Sequence, residues 1–366
     1  MGLDGTWAAG GSADGTVNGG TVPVVGQAYV AAGGGVAVLG AGMSLAGYLL
    51  ADGKPLWQVT LAGPAGSTIM SVRAWPGVVT VGLLGPSGNS RTEVTVNAAT
   101  GAELRRYPAA VFGGAVAASA ATTVVIGPAA VTSYANATGR VRWTHKTNGD
   151  RSWQADGQFL YLAQARGGGL SSAPVAALKV INLVTGAVRT LSSPSGDTFS
   201  GTLAIAAGGA LVFASPSGVT AYSESAGGQL WAMRGAVPEG TDPDAGLVYL
   251  ISGSGALVGV DPMTGTVRTT VPGSVASGAA AVYLVRDGVA LGLNSGANGE
   301  AWGYDLAAGR VTWSSAALPW PHFYSDLSGL GGSAAASGGA VVVTACPHLA
   351  AFPGICADPE LVAFSL

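Results

Sequence analysis

The stretch Asp261-Pro262-Met263-Thr264-Gly265-Thr266-Val267-Arg268 follows the short apolar run Leu257–Val260. Its glycine can supply the positive φ that a tight hairpin turn needs, and the β-branched residues after it suit a pleated strand. The stretch therefore predicts a β-hairpin in which an acidic residue ends one strand and Gly265 allows the chain to reverse into the next.

Turns of this form recur along the chain at intervals of 37 to 48 residues. This interval matches the roughly 40–50 residues of a four-stranded propeller repeat and exceeds the period of repeats built from helix pairs. Two further strands precede each turn, as in the segment Ala245–Leu250. The repeats therefore predict the blades of an all-β propeller. The other turn segments are Asp52–Trp57, Thr100–Leu104, Thr138–Trp143, Thr185–Arg189, Gly227-Gly228-Gln229-Leu230-Trp231 and Ala308–Trp313.

The last repeat lacks its own fourth strand. Three strands are expected after Trp313, in the segments Leu330–Ser337, Ala340–Ala345 and Leu361–Leu366, and no turn follows them. At the other end of the chain, Asp4-Gly5-Thr6-Trp7 resembles the segment that follows each turn. We expect this N-terminal segment to complete the last sheet, because such an exchange removes an exposed sheet edge.

The predicted fold is therefore a single propeller domain over residues 1–366, with eight four-stranded antiparallel blades. Residues 1–9 form the closing strand, 10–22 a linker, and 23–366 blades 1–8. A seven-bladed propeller with an irregular N-terminal region is the alternative.

The turn segments resemble the PQQ-like β-propeller repeat family, whose repeats contain an aspartate, two residues, Thr-Gly, three residues and a tryptophan. Asp261–Gly265 and Asn182–Gly186 fit this pattern. In that family the tryptophan packs between adjacent blades, so the resemblance implies a structural role for it. The family includes quinoprotein dehydrogenases, the propeller lipoprotein of outer-membrane assembly and sensor domains of bacterial kinases. The tryptophan is present in alternate repeats, at Trp57, Trp143, Trp231 and Trp313.

The resemblance raises the question of a quinone-dependent oxidoreductase. The quinone-dependent enzymes of this family hold a calcium ion beside the quinone with acidic and amide ligands, and calcium needs six to eight oxygen ligands. Here the closest acidic pair, Asp242 and Asp244, suits a solvated turn, and His145 is expected in an outer strand, far from the central channel. We therefore expect no enzyme, no catalytic residues, no metal site, and neither PQQ nor calcium as cofactor.

Charge and hydropathy exclude some partners. Only 10% of residues are charged, the net charge is −3, and no basic stripe for a phosphate backbone is present, which disfavours nucleic-acid binding. Uncharged stretches such as Gly15–Ala51 contain glycine-rich turns, so we interpret them as buried strands and predict no membrane span. The low charge leaves self-association open.

The two cysteines predict a location. Cys346 and Cys356 have nine residues between them, and a disulfide there would close a short loop worth about 2–3 kcal/mol. Such a bond indicates an extracytoplasmic protein, secreted or tethered to the cell surface. The preference for arginine over lysine and the many alanine and glycine residues are typical of a bacterium with high GC content. Met1–Asp4 has neither the basic start nor the apolar core of a secretory signal, so a signal or anchor is expected outside this sequence. Two free thiols are the alternative, and a zinc site is disfavoured because only His348 lies nearby.

Candidate binding residues cluster in long loops expected at one end of the propeller. Leu318–Asp326 has the densest aromatic content in the chain, and aromatic side chains beside prolines form a rigid surface suited to a peptide or a sugar ring. A loop that plugs the channel is the alternative. The candidates in this segment are Trp320, His322, Phe323 and Tyr324.

Further candidates are His348, in the loop between the cysteines, and Arg73, Trp75, Arg151 and Trp153, expected on the innermost strands of blades 2 and 4. The predicted function is non-enzymatic binding or scaffolding of a protein or cell-envelope glycan partner. The alternatives are a lectin-like carbohydrate-binding module and, least favoured, a PQQ-dependent oxidoreductase.

Overall fold

The structure is a computed structural model that describes residues 7–10, 15–17, 20–22, 28–110, 113–147, 150–165, 175–194, 198–242, 245–272, 280–286, 288–294, 301–314, 334–337, 340–345 and 360–365. These residues form β-strands joined by turns, and they contain no helix long and apolar enough to cross a membrane. The strands of the first half are β1 (Trp7–Gly10), β2 (Gly15–Val17), β3 (Gly20–Val22), β4 (Ala28–Gly33), β5 (Val36–Ala41), β6 (Ser44–Leu49), β7 (Pro55–Thr60), β8 (Thr68–Trp75), β9 (Val78–Leu84), β10 (Arg91–Asn97), β11 (Glu103–Ala109), β12 (Gly114–Ala118), β13 (Thr122–Ile126), β14 (Ala130–Ala135) and β15 (Val141–Lys146). Those of the second half are β16 (Asp150–Ala155), β17 (Phe159–Ala165), β18 (Val175–Asn182), β19 (Val188–Ser192), β20 (Thr202–Ala207), β21 (Ala210–Ser215), β22 (Gly218–Ser223), β23 (Gln229–Arg234), β24 (Val237–Asp242), β25 (Leu247–Ile251), β26 (Leu257–Val260), β27 (Val267–Val271), β28 (Ala280–Arg286), β29 (Val289–Asn294), β30 (Ala301–Asp305), β31 (Arg310–Ser314), β32 (Ala334–Ser337), β33 (Ala340–Ala345) and β34 (Glu360–Ser365).

Seven four-stranded sheets are each built from four consecutive strands, from β4–β7 (blade 1) to β28–β31 (blade 7). A further four-stranded sheet, the composite sheet, has the order β1-β34-β33-β32. The predicted all-β propeller of antiparallel blades is confirmed. The seven blades of consecutive strands correspond to the alternative count of the sequence analysis, while the composite sheet joins the two ends of the chain.

The N-terminal strand β1 is antiparallel to β34, with Trp7 opposite Ala363 and Gly10 opposite Glu360. The predicted pairing of the N-terminal segment with the last strand is thus present in the structure. The segment expected to be a linker contains a small two-stranded sheet, in which Gly15 pairs with Val22. The domain boundaries at 9 and 22 stay a prediction.

The seven outer hairpins share one turn conformation. Their glycines have φ between 65° and 75°, and each donates its backbone N–H to the carbonyl oxygen four residues earlier. In the turn of blade 5 the positive φ belongs to Gly227, the first glycine of the predicted segment. The glycines are Gly53, Gly101, Gly139, Gly186, Gly227, Gly265 and Gly309.

The acidic or amide residue of the repeat caps this turn. Asp261 Oδ1 accepts hydrogen bonds from the backbone N–H groups of Met263 and Thr264, both at 3.0 Å. Asn182 makes the same pair of bonds in its own turn. These bonds favour the ionised form and hold the pKa of Asp261 below its usual value. The Asp or Asn of the repeat is therefore a turn-forming residue.

Two tryptophans of the repeat connect neighbouring blades. Trp57 Nε1 donates to the carbonyl oxygen of Ala98 at 2.7 Å, and Trp231 Nε1 donates to that of Pro262 at 2.8 Å. Each indole ring also lies against the turn glycine of the next blade, Gly101 for Trp57. The packing between blades that the family resemblance implied is present at these two positions.

The chain divides into two compact units. In the unit of residues 1–144, 294–300 and 315–366, β32 contacts β4 and β4 contacts β8. Blades 1 and 2 there share an apolar core that includes Val38, Leu45, Ile69, Val81 and Val94. In the unit of residues 145–293 and 301–314, the first strands β16, β20, β24 and β28 contact one another in order, and apolar clusters join successive blades.

Candidate functional site

Blade 2 has one apolar face and one polar face. Val72, Val81 and Val94 pack on blade 1, while the alternate positions on the same strands face β12 of blade 3. Of the eleven buried polar or charged side chains in the described residues, seven lie between blades 2 and 3. We call this set the polar seam: Ser71, Thr80, Arg91, Glu93, Thr95, Thr123 and Asn136.

An ion pair lies at the centre of the polar seam. Arg91 Nη2 is 3.4 Å from Glu93 Oε2, and the two side chains are 1% and 2% exposed. The same nitrogen donates a 2.8 Å hydrogen bond to Ser71 Oγ. The residues sit together because Glu93 and Ser71 both pair with Gly82 of β9 and therefore point to the same face of the sheet.

Two glycines make room for this pair. A Cβ at Gly82 would collide with the guanidinium of Arg91 and the hydroxyl of Ser71. A Cβ at Gly114 of blade 3 would lie 2.6 Å from Arg91 Nη2 and 2.9 Å from Glu93 Oε2. Gly114 also has a φ of 121°, which side-chain-bearing residues rarely adopt. The charged pair thus depends on small residues in both blades.

The first strand of blade 3 supplies backbone partners. Arg73, on the innermost strand β8, donates through Nη1 to the carbonyl oxygen of Ala115. Glu93 accepts a hydrogen bond from the backbone N–H of Ala115. Ala115 therefore connects blade 3 to both an arginine and a carboxylate of blade 2.

Burial sets the electrostatics of the cluster. It raises the pKa of Glu93 above its usual value, and the neighbouring charges of Arg91 and Arg73 oppose this shift. Burial also lowers the pKa of Arg73. The negative charge of Glu93 opposes this shift, and the positive charge of Arg91 adds to it. Arginine nonetheless stays protonated in proteins, so the cluster holds two cationic side chains against one carboxylate.

The neutral part of the seam is hydrogen-bonded around the side-chain amide of Asn136. Asn136 Oδ1 accepts from Thr123 Oγ1 at 2.8 Å and from Tyr107 Oη at 3.3 Å, and Asn136 Nδ2 donates to the carbonyl oxygen of Ser119. The ring of Tyr107 stacks on Tyr134 with centroids 4.2 Å apart. The hydrogen bond and the stacked ring of Tyr107 therefore connect blade 2 to blade 3.

Four predicted candidates lie on innermost strands, as expected. Arg73 and Trp75 are on β8, and Arg151 and Trp153 are on β16, which is the first strand of blade 4. Trp75 is half-buried and donates through Nε1 to Thr80 Oγ1 at 3.2 Å, so it belongs to the same polar face as Arg73. Trp153 is also half-buried. Their role in binding stays a prediction.

The other candidates fall outside the described residues, so their positions stay predictions. Asp242, the acidic residue considered for calcium, was expected in a solvated turn, but this was wrong: it is buried, and it accepts a hydrogen bond from the backbone N–H of Ala245. The candidates outside the described ranges are Trp320, His322, Phe323, Tyr324, His348, Cys346 and Cys356.

The sequence analysis missed Arg91 and Glu93. Their signal is the alternation in Glu93-Val94-Thr95-Val96, where charged or polar side chains alternate with apolar ones in the third strand of a blade, and Arg91 continues the charged positions toward the start of that strand. Such alternation indicates one polar and one apolar face. The corresponding strands β22 and β26 carry no charged residue.

The seam thus places two guanidiniums, those of Arg73 and Arg91, around the buried carboxylate of Glu93. In the described part of the chain, no group of three or more His, Cys, Asp or Glu side chains is arranged to hold a metal ion.

Residues 215–352 match a family model described as outer membrane protein assembly factor BamB. This match confirms the predicted resemblance to PQQ-like repeats over that part of the chain. No curated protein sequence matches the chain.

Many solved structures resemble this one. The computationally designed protein Ika8 aligns with 93% of this chain and 98% of its own, at 14% identity and a TM-score of 0.57. The quinohemoprotein alcohol dehydrogenase ADHIIG of Pseudomonas putida HK5 aligns with 93% of this chain and 76% of its own, at 15% identity and a TM-score of 0.55. BamB of Moraxella catarrhalis covers 77% of this chain and 80% of its own, at 20% identity and a TM-score of 0.46. The first two alignments show a shared fold.

Proposed function

We propose that this chain is a non-enzymatic extracytoplasmic propeller that binds a protein partner of the cell envelope. The observation that carries the proposal is the match of residues 215–352 to the family of an outer-membrane assembly factor. Blades with the same fold also occur in enzymes such as the alcohol dehydrogenase above, so the fold is compatible with either role. The family match favours binding.

The proposed contact surface is the end of the propeller that carries the loops between blades and the loops between second and third strands. Both kinds of loop meet at blade 2, where a Cβ on Gly66 would contact Pro86. Residues 62–66 and 86–90 are exposed there. We propose that Trp320, His322, Phe323 and Tyr324 contribute to this contact surface, as the sequence analysis predicted.

The test is capture of envelope proteins by the immobilised chain and by two variants. Trp320→Ala removes the largest aromatic side chain of the proposed contact, and Val188→Ala alters an apolar residue of an outer strand that is 43% exposed. We expect Trp320→Ala to lose at least tenfold in captured partner, since aromatic anchors carry much of an interface's free energy. Val188→Ala should bind like wild type.

Equal capture by wild type and Trp320→Ala would contradict this binding surface. Binding on a glycan array that is lost in Trp320→Ala would favour the lectin-like alternative. A calcium-dependent visible absorbance after addition of PQQ, with turnover of an alcohol, would favour the oxidoreductase.

A further inference from the structure

Exposed arginines lie at the outer rim of blades 2 and 3. Arg140 directly precedes the outer strand β15 of blade 3, and Arg142 is the second residue of that strand. Arg105 of blade 2 reaches the turn before them, where its Nη2 donates to the carbonyl oxygen of Ala137 at 3.1 Å and a Cβ on Gly139 would lie 3.3 Å from its Nε. We call this set the arginine rim: Arg105, Arg140 and Arg142.

The charge of the arginine rim is not neutralised by a carboxylate of the described residues. Several arginines of other outer strands, or beside the rim, are paired instead. The surface around the rim is therefore positively charged, and such a surface attracts and orients an acidic partner. The paired arginines are Arg106, Arg189 and Arg268, which bind Glu103, Glu224 and Asp261.

The strand that carries the rim is also a sheet edge. In the described part of the chain, β15 is the terminal strand of its sheet and pairs only with β14. The outer strands of blades 1 and 2 contain Pro55 and Pro108, and a proline hinders the pairing of a further strand. β15 contains no proline, and its residues Val141, Arg142 and Thr144 are exposed, Val141 by 56%. An extended peptide can therefore reach this edge.

The positive charge determines which strand fits. Pairing with β15 of a second copy would bring arginines toward one another, and like charges on neighbouring strands are destabilising. A strand with acidic residues gains from the same charges. Arg140 and Arg142 are two positions apart, and alternate residues of an extended peptide are about 6.6 Å apart, so acidic side chains at every second position match this spacing. An anionic membrane surface offers no backbone to pair with the edge.

We propose that the outer edge of blade 3 binds an extended acidic peptide, which pairs with β15 as a further strand and places its carboxylates against the arginine rim. In this mode of recognition the main-chain hydrogen bonds supply affinity and the side chains supply specificity. The edge belongs to a single blade, so this proposal does not depend on the loop-bearing contact surface proposed above.

Fluorescence anisotropy of labelled peptides with the whole chain tests the pairing. The probe is a short peptide of alternating glutamate and threonine, which should bind. An isomer with the same composition but all glutamates in one block should bind about fivefold more weakly. The alternating peptide N-methylated along its backbone keeps every charge but has no N–H donors, and it should not bind. Absence of binding by the alternating peptide would overturn the proposal.

A matched pair of variants locates the binding. Arg142→Gln should weaken binding of the alternating peptide about fivefold, because it removes one exposed charge contact. Arg310→Gln removes an exposed arginine that follows the turn glycine of blade 7, makes the same change in net charge, and should bind like wild type. Equal weakening in both variants would show general electrostatic attraction and refute the site.

Two further results would also overturn the proposal. Equal binding of the alternating peptide and its N-methylated form would exclude strand pairing. Binding of phosphatidylglycerol vesicles that Arg142→Gln weakens, without binding of the alternating peptide, would make the arginine rim a membrane contact instead.

Discussion

Trp57 Nε1 donates a hydrogen bond to the backbone carbonyl oxygen of Ala98, 2.7 Å away in the next blade. The indole ring meanwhile covers Gly47 in its own blade and Gly101 in the next. One side chain thus connects an outer strand to the turn of its neighbour by both packing and a directed bond. Trp231 makes the equivalent bond to Pro262 in the other unit.

Trp57→Phe should destabilise the protein by about 1 kcal/mol, since it keeps most of the packing and leaves the Ala98 carbonyl without this donor. The shift of the urea unfolding midpoint measures the loss. Gln58→Ala, an exposed change on the same strand, should leave the midpoint unchanged. If Trp57→Phe unfolded at the same urea concentration as wild type, the hydrogen bond would make no net contribution to stability.

Gly101→Ala should destabilise more than Gly88→Ala, although both glycines have nearly the same φ, 71° and 72°. Either alanine has the strain of a positive φ, about 1 kcal/mol. At Gly101 the new Cβ would lie 2.7 Å from Trp57 Cδ2, whereas at Gly88 no atom of the described residues lies within 4 Å. Overpacking should therefore add about 1–3 kcal/mol at Gly101. Equal unfolding midpoints for the two variants would contradict the packing of Trp57 on this turn.

Deletion of residues 1–10 should lower the melting temperature markedly, because it removes β1 and leaves β34 as an unpaired edge. Deletion of residues 1–6 keeps β1 and is the matched control. Differential scanning calorimetry on both truncations makes the comparison. If the two melted at the same temperature, the pairing of Trp7 with Ala363 would have no stabilising role.

Glu93→Gln should alter the pH dependence of stability. Because folding raises the pKa of Glu93, the folded state keeps a proton that the unfolded state has released at pH values between the unfolded and the folded pKa, and Glu93 is a carboxylate above them. Its stabilising contribution is complete below the unfolded value, near 4.5, and is lost as pH rises through the folded value. The free energy of unfolding of wild type minus that of Glu93→Gln should therefore fall as pH increases from 4 to 8. A difference that stays flat or rises over this range would contradict the assigned direction.

Glu103→Gln serves as the control for this titration. It removes an exposed carboxylate, paired at the surface with Arg106, and so makes the same change in net charge. Its difference from wild type should not follow the curve of Glu93→Gln.

Local features of the chain were predictable from the sequence. Gly265 and its counterparts adopt positive φ because their turns need it, and Asp261 caps its turn because a carboxylate two or three residues before backbone N–H groups can reach them. The two-residue periodicity of the strands also follows from neighbours along the chain. The pairing of the N-terminal strand with the last strand was predictable because its sequence resembles the segment that follows each turn.

Contacts between blades could not be predicted in the same way. Trp57 and Ala98 are 41 positions apart, and Arg73 and Ala115 are 42 apart, so nothing in the local sequence says which carbonyl each side chain will meet. Arg91 and Glu93 are close in sequence, yet their burial depends on Gly82 and Gly114 in two other strands. Backbone conformation depends on near neighbours, whereas burial and charge balance depend on groups that folding brings together from distant parts of the chain.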